Sequence, residues 1–280
     1  MSTDALPAYG PSALGGSARR FAELTMMLAR TEFKLRYFGS VLGYVWSLMR
    51  PLLFFGVLYI FFTQIVNLGK EPHYGVYLLT GIVFWNYFSE ATGNCVNCLI
   101  AREALLRKIR FPRMVIPVSV SLTATFNLGM NFIAVIVFAV LSGLTPTVKW
   151  LELIPIALLF IVLATGIGML LSALYVRFRD VQPIWEVTVQ AWFYCTPIMY
   201  TAATYEKFAH NFEHIALLNP PAALLTQAGH AVIGGPHFPS AATAAGGYGV
   251  VLVAIAIIPA VFALGWWYFT REAPRVAEHL

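Results

Sequence analysis

Charged side chains are scarce in this sequence. Asp, Glu, Lys and Arg together supply 11% of its 280 residues, where a soluble domain carries about 25%. That is too little charge to cover a water-facing surface, which excludes a soluble globular enzyme. Cysteine is scarcer still. Cys95, Cys98 and Cys195 are the full set, all in apolar stretches, so no disulfide scaffold is expected. Cys95 and Cys98 have redox-motif spacing but no nearby His pair and no βαβ pattern, so thiol or metal chemistry is not expected there. No Gly-x-x-x-x-Gly-Lys-[Ser/Thr] phosphate loop occurs, and Gly69-Lys70 stands without the rest of that motif. No Ser-His-Asp or metal-ligand cluster stands out either. An ATP site or a catalytic centre within this chain is therefore not expected, and no cofactor is.

Apolar and aromatic residues are abundant. Hydrophobic residues make up 59%, with 21 Phe, 13 Tyr and 7 Trp, and mean hydropathy is +0.72. Such a chain is not a solvated, disordered one; it reads as an all-α polytopic membrane protein. The net charge of +5 does not point to nucleic acid, because the basic residues sit in short loops where they set orientation.

A spanning helix needs about 20 mostly apolar residues. Stretches free of charge run over 51–69, 76–98 (interrupted by Glu90), 114–148, 153–176, 187–205 and 214–270. The last, at 57 residues, is too long for one helix. Asn219-Pro220-Pro221 reads as an N-cap followed by prolines in the first turn, and Gly234-Gly235-Pro236 as a stop. The segment between, 222–233, is too short to span and reads as re-entrant or interfacial. Six spans are predicted, at about 46–69, 76–100, 114–143, 153–176, 184–204 and 248–270. Fifteen Lys and Arg then fall on one side, while Lys70, Lys149 and Lys207 fall on the other. The asymmetry predicts cytoplasmic termini. Residues 1–18 read as a disordered tail without the pattern of a cleaved signal peptide, and 271–280 as a cytoplasmic tail.

Residues 19–38 place Phe21, Leu24, Leu28 and Leu35 on one helical face, with Glu23, Arg30 and Lys34 opposite. This predicts an amphipathic interfacial helix, with Glu32 interrupting its apolar stripe. Arg30, Lys34 and Arg36 are candidates for contact with a lipid phosphate at an entry gate, or for plain attraction to anionic lipid. Residues 101–112 combine helix formers, basic residues and apolar knobs, and end at Pro112. Glu103, Leu105, Leu106, Lys108, Ile109 and Arg110 are candidates for docking into a groove of a soluble partner; a topology-setting loop would need no Leu-Leu pair. In span two, Asn86, Glu90, Asn94 and Asn97 follow helical spacing and form a polar stripe. It reads either as a pathway wall or as interhelical packing. Trp85, Tyr87, Trp192, Tyr194 and Tyr200 belong to aromatic clusters near span ends. They suit an interfacial belt or a route for sugars, whose ring faces match flat aromatic surfaces. His210, His214, His230 and His237 are too irregularly spaced to predict a zinc site.

Six motifs in order resemble one family. They are Arg36-Tyr-Phe-Gly-Ser-Val-Leu-Gly-Tyr-Val-Trp46 with Arg50-Pro51-Leu52; Leu79-Thr-Gly-Ile-Val-Phe-Trp-Asn-Tyr-Phe-Ser-Glu90; Leu105-Leu-Arg-Lys-Ile-Arg-Phe-Pro-Arg113 with Pro117; Arg179-Asp180; Tyr194-Cys-Thr-Pro-Ile-Met-Tyr200; and Leu218-Asn219-Pro220. Over roughly residues 20–270 the chain is similar to polysaccharide-exporting permeases of the type-2 ABC exporter family. The family's usual Ser-Pro-Ile appears here as Thr196-Pro197-Ile198, with Pro197 expected to kink span five. The resemblance implies a membrane subunit for lipid-linked glycans such as O-antigen, capsule or teichoic acid. It implies a homodimer of this chain with two ABC ATPase subunits that bind the ATP and magnesium, in a bacterial inner membrane. It makes 101–112 the coupling helix, 19–38 the gate and 206–240 the outer gate. The alternatives are export of another lipid or a drug, an ion-coupled carrier, and a membrane enzyme acting on lipid-linked substrates.

Overall fold

In a hydrocarbon layer every backbone N–H and C=O must be satisfied within the protein, which favours helices for the long apolar runs. The computed structural model describes residues 18–37, 41–66, 71–103, 112–201 and 215–272, and within them the regular structure is entirely helical. The elements are α1 (Ala18–Tyr37), α2 (Val41–Ile60, prolonged by a π-helical turn Phe61–Ile65), α3 (Tyr74–Val96) and the one-turn α4 (Cys98–Ala101). Then come α5 (Val115–Leu141), a 3-10 turn Val148–Glu152, α6 (Leu153–Arg177) and α7 (Val181–Cys195). The chain closes with α8 (Pro220–Val232), the short α9 (Ala241–Ala244) and α10 (Tyr248–Glu272).

Among the described residues, four segments are long and apolar enough to cross a membrane: Trp46–Ile65, Val115–Leu141, Val148–Arg177 and Tyr248–Glu272. The α3 helix is not among them, and its burial explains why. Eighteen of its 23 residues are buried, against α2, α5, α6, α7 and α8. A helix walled in by protein meets little lipid, so it can carry Asn86, Glu90 and Asn94, which depress its hydropathy. Its buried Phe84 stacks on Phe160 of α6 at 5.0 Å and meets Phe132 of α5 edge-on at 5.1 Å.

The α7 helix is shorter than the sequence predicts. Thr196 is extended (φ −106°, ψ 139°), as the residue before a proline prefers, so Pro197 ends the helix instead of kinking it. The following turn is fixed by α3: Tyr74 donates to the Met199 carbonyl at 2.5 Å, and Tyr77 donates to those of Pro197 and Tyr200.

Helices α6 and α10 approach most closely at two glycines. A Cβ on Gly265 would sit 2.0 Å from the Gly166 carbonyl oxygen, and one on Gly166 would sit 2.6 Å from the Phe262 Cα. Small residues at such a crossing let backbones touch and gain dispersion contact where lipid offers no hydrophobic drive. Helix α1 lies on α5 through the buried Thr25 and Ala29 and the edge-on pair Phe33–Phe126. Leu35, on the apolar stripe, is 68% exposed, whereas Glu32, which interrupts that stripe, faces inward where Arg102 meets it.

Candidate functional site

Two constellations stand out, one under α1 and one between α3 and α7. Under α1, Arg36 donates from Nη1 to Glu90 Oε1 of α3. Asn127 of α5 donates its Nδ2 to the same oxygen at 2.7 Å. One turn back on α1, Glu32 accepts from Arg102 Nη2, just after α4. Arg102 Nη1 also reaches the Cys98 carbonyl at 3.3 Å. Glu32, Arg36 and Arg102 border a cavity of about 340 Å³ together with Asn94, Asn97 and Thr123. A carboxylate on a membrane helix is costly unless it faces protein or water. For Glu90 a guanidinium and an amide offset that cost.

The three predicted gate cations separate. Arg36 turns toward the bundle, while Arg30 and Lys34 border an open groove along the other side of α1 with Met26, Met27 and Thr31. Of the predicted docking residues, Glu103 is half-buried; Leu105, Leu106, Lys108, Ile109 and Arg110 lie outside the described residues. Just after those residues, burial lowers the Arg113 guanidinium pKa, and its Nη1 is buried with no hydrogen-bond partner among the described residues.

Aromatic side chains form the second constellation. Trp85 and Phe88 of α3 meet Trp192 of α7 at 6.2 and 5.4 Å, and Trp185, about two turns earlier on the same face of α7, joins them at 6.4 Å from Trp192. The indole N–H groups are satisfied: Trp185 donates to Thr92 Oγ1 at 3.1 Å and Trp192 to Asn219 Oδ1 at 3.0 Å. Trp192, Tyr194, Tyr200 and Asn219 then border an open cleft of about 460 Å³. Tyr200 donates to the Tyr194 carbonyl at 2.7 Å. Trp85 and Tyr87 lie inside the bundle instead. Tyr87 faces Ser121 at 3.5 Å, and Ser121 is bonded to Thr165 of α6 at 2.7 Å. Asn86 is half-buried.

The predicted short segment after residue 219 is helix α8, buried along 11 of its 13 residues. Asn219 has the extended backbone of an N-cap, but its side chain makes no cap bond. Pro220 and Pro221 carry no N–H to cap, which leaves the amide to hold Trp192. Gln227 ties α8 to both sides, donating to Glu152 Oε2 at 2.7 Å and accepting from the Ala241 amide at 3.1 Å. His230 Nδ1 lies 2.8 Å from the Phe238 carbonyl, and His237 pairs with Glu71. His210 and His214 lie outside the described residues. No cluster of His, Cys, Asp and Glu with metal-binding geometry occurs among those described.

Sequence reading missed Glu32, Arg102, Asn127 and Trp185. The first two carry signals that could have found them: Glu32 stands four residues before Arg36, and Arg102 leads a basic loop. Asn127 is a polar amide within an apolar span, which by itself asks for a partner.

Similarity to known proteins agrees with this architecture. Residues 23–227 match the family of ABC-2 type transporters. The chain is 31% identical over 204 residues to an O-antigen export system permease protein RfbA of Klebsiella pneumoniae, covering 72% of this chain and 77% of the relative. It is 31% identical over 209 residues to the protein of the same name from Myxococcus xanthus, covering 74% and 79%. A buried polar helix inside a bundle of apolar ones, matched by that family over most of its length, makes this chain a membrane protein that belongs to the ABC-2 type transporter family.

Proposed function

We propose that this chain is the transmembrane subunit of an ATP-driven exporter that moves a lipid-linked polysaccharide across the cytoplasmic membrane. The observation that carries the reading is the likeness, over nearly three quarters of the chain, to permeases named for O-antigen export. The lack of a phosphate-binding loop agrees with it, because the power stroke then comes from a separate ABC ATPase. Those relatives' names also weigh against an ion-coupled carrier.

In this reading the bundle has six spans: the four apolar segments, α3 at their centre, and α7 with the residues after it. Both termini are cytoplasmic, following the basic residues. Two copies pair, and each docks an ATPase through residues 101–112. Helix α1 lies at the cytoplasmic interface, with Arg30 and Lys34 toward lipid headgroups. The cleft of Trp192, Tyr194 and Tyr200 offers aromatic faces to sugar rings on the way out, and α8 belongs to the outer gate.

Co-purification tests the coupling role. The paired substitution Leu105→Asp and Leu106→Asp is expected to abolish recovery of the ATPase with the permease while leaving the permease in the membrane. Unchanged recovery would contradict the assignment of this loop.

A further inference from the structure

We infer that Glu32, Arg36, Glu90 and Arg102 form a charge-exchange clasp that sets the position of α1 against the bundle and ties it to the loop following Glu103. Helix α1 offers the bundle two charges of opposite sign, one turn apart, and each is matched by its complement. Glu32 meets Arg102 and Arg36 meets Glu90. Beyond this, α1 is held by Phe21 against the apolar cluster around Cys98, Leu99 and Met114, by the Phe33–Phe126 ring contact, and by Thr25, Ala29 and the 3.4 Å approach of Thr123 Oγ1 to the Ala29 carbonyl, none of which pairs charge with charge. The ion pairs are therefore the specific fastening.

Three details make the fastening releasable. All four side chains keep partial access to water, between 21% and 40%, so the pairs are of the modest kind that water competes with. Glu32 and Arg36 stand four apart on one helix with the acid first, the favourable order for a pair along a helix. When α1 lifts, each can therefore exchange its bundle partner for the other. Glu90 is not stranded, because Asn127 still donates to it. Arg102 lies within residues 101–112, proposed above to dock the ATPase. A displacement passed to Arg102 on docking would load the Glu32 pair first, and α1 would follow.

The test uses the full chain in lipid nanodiscs, with Cys195→Ser removing the exposed native thiol. Spin labels at Met27 and Leu141, both strongly exposed, report the position of α1 against the far end of α5. The unsubstituted clasp is expected to give one narrow distance population. Glu32→Gln and Arg102→Gln should each raise a second, longer population roughly two- to fivefold, the range that partly exposed pairs support. Together they should do no more than either alone. The charge reversal Glu32→Arg with Arg102→Glu should restore the single population, which a fold defect would not allow. Unchanged distances in both single variants, or a reversal that stays broad, would overturn the clasp. Its link to the loop rests on the docking role proposed above and has its own readout. With the ATPase present, Glu32→Gln should raise ATP hydrolysed per glycan exported. If the parent complex exports no glycan while the distances behave as stated, the substrate reading falls and the clasp stands.

Discussion

Glu90 shows how a single polar residue is kept in a membrane helix. Its Oε1 takes the Arg36 guanidinium and, at 2.7 Å, the Asn127 amide, so its charge meets a donor from each of two other helices and keeps partial access to water. Replacing Asn127 by Leu removes one donor and keeps the volume roughly constant. With partial water access to the carboxylate, the loss should be about 1 kcal/mol. In detergent this is expected to lower the unfolding temperature by about 2–4 °C. Trp192 is a second such case. Phe at that position keeps the ring contact with Phe88 but leaves Asn219 Oδ1 without its 3.0 Å donor. The expected loss is again about 1 kcal/mol. Binding of a soluble glycan fragment to the cleft should change little, if ring stacking and not the indole N–H holds sugars; a large loss would assign the N–H to the substrate instead.

Among the elements, α6 and α10 depend on having no side chain at their crossing. Gly265→Leu places carbon where the Gly166 carbonyl already lies, and neither backbone can yield without separating the helices. Overpacking of this kind costs about 1–3 kcal/mol or more, so the variant should accumulate poorly and melt several degrees lower, while Gly249→Ala, in open space, should behave as the parent. The main apolar helices were legible from the sequence because lipid-facing runs declare themselves: α5, α6 and α10 fall within two residues of their predicted ends. The end of α7 was less so. A proline can kink a membrane helix or end it, and the choice here follows from Tyr74 and Tyr77, far away in sequence, which hold the turn after Thr196. On α1 the ion partner of Glu32 was hidden for a similar reason. Periodicity ranks residues by polarity, and Glu32 is drawn inward by Arg102, which lies 70 residues on. The polar stripe of α3 was visible as a pattern, but its partners Arg36 and Asn127 come from other helices, and nothing in local spacing announces them.

For the whole molecule, membrane residence and family follow from composition and likeness, while the proposed sidedness rests on the basic residues between the spans. Thiol labelling through single introduced cysteines should place position 275 on the same side as position 20, and position 149 on the other; labels at 20 and 149 on one side would contradict six spans. The account as a whole rests on export driven from outside this chain, and one measurement addresses it most directly: reconstitution of the permease in inside-out vesicles, with and without its ATPase, supplied with lipid-linked glycan. The account predicts that glycan reaches the lumen only when both proteins and ATP are present. Glycan uptake by the permease alone, driven by an ion gradient, would contradict it.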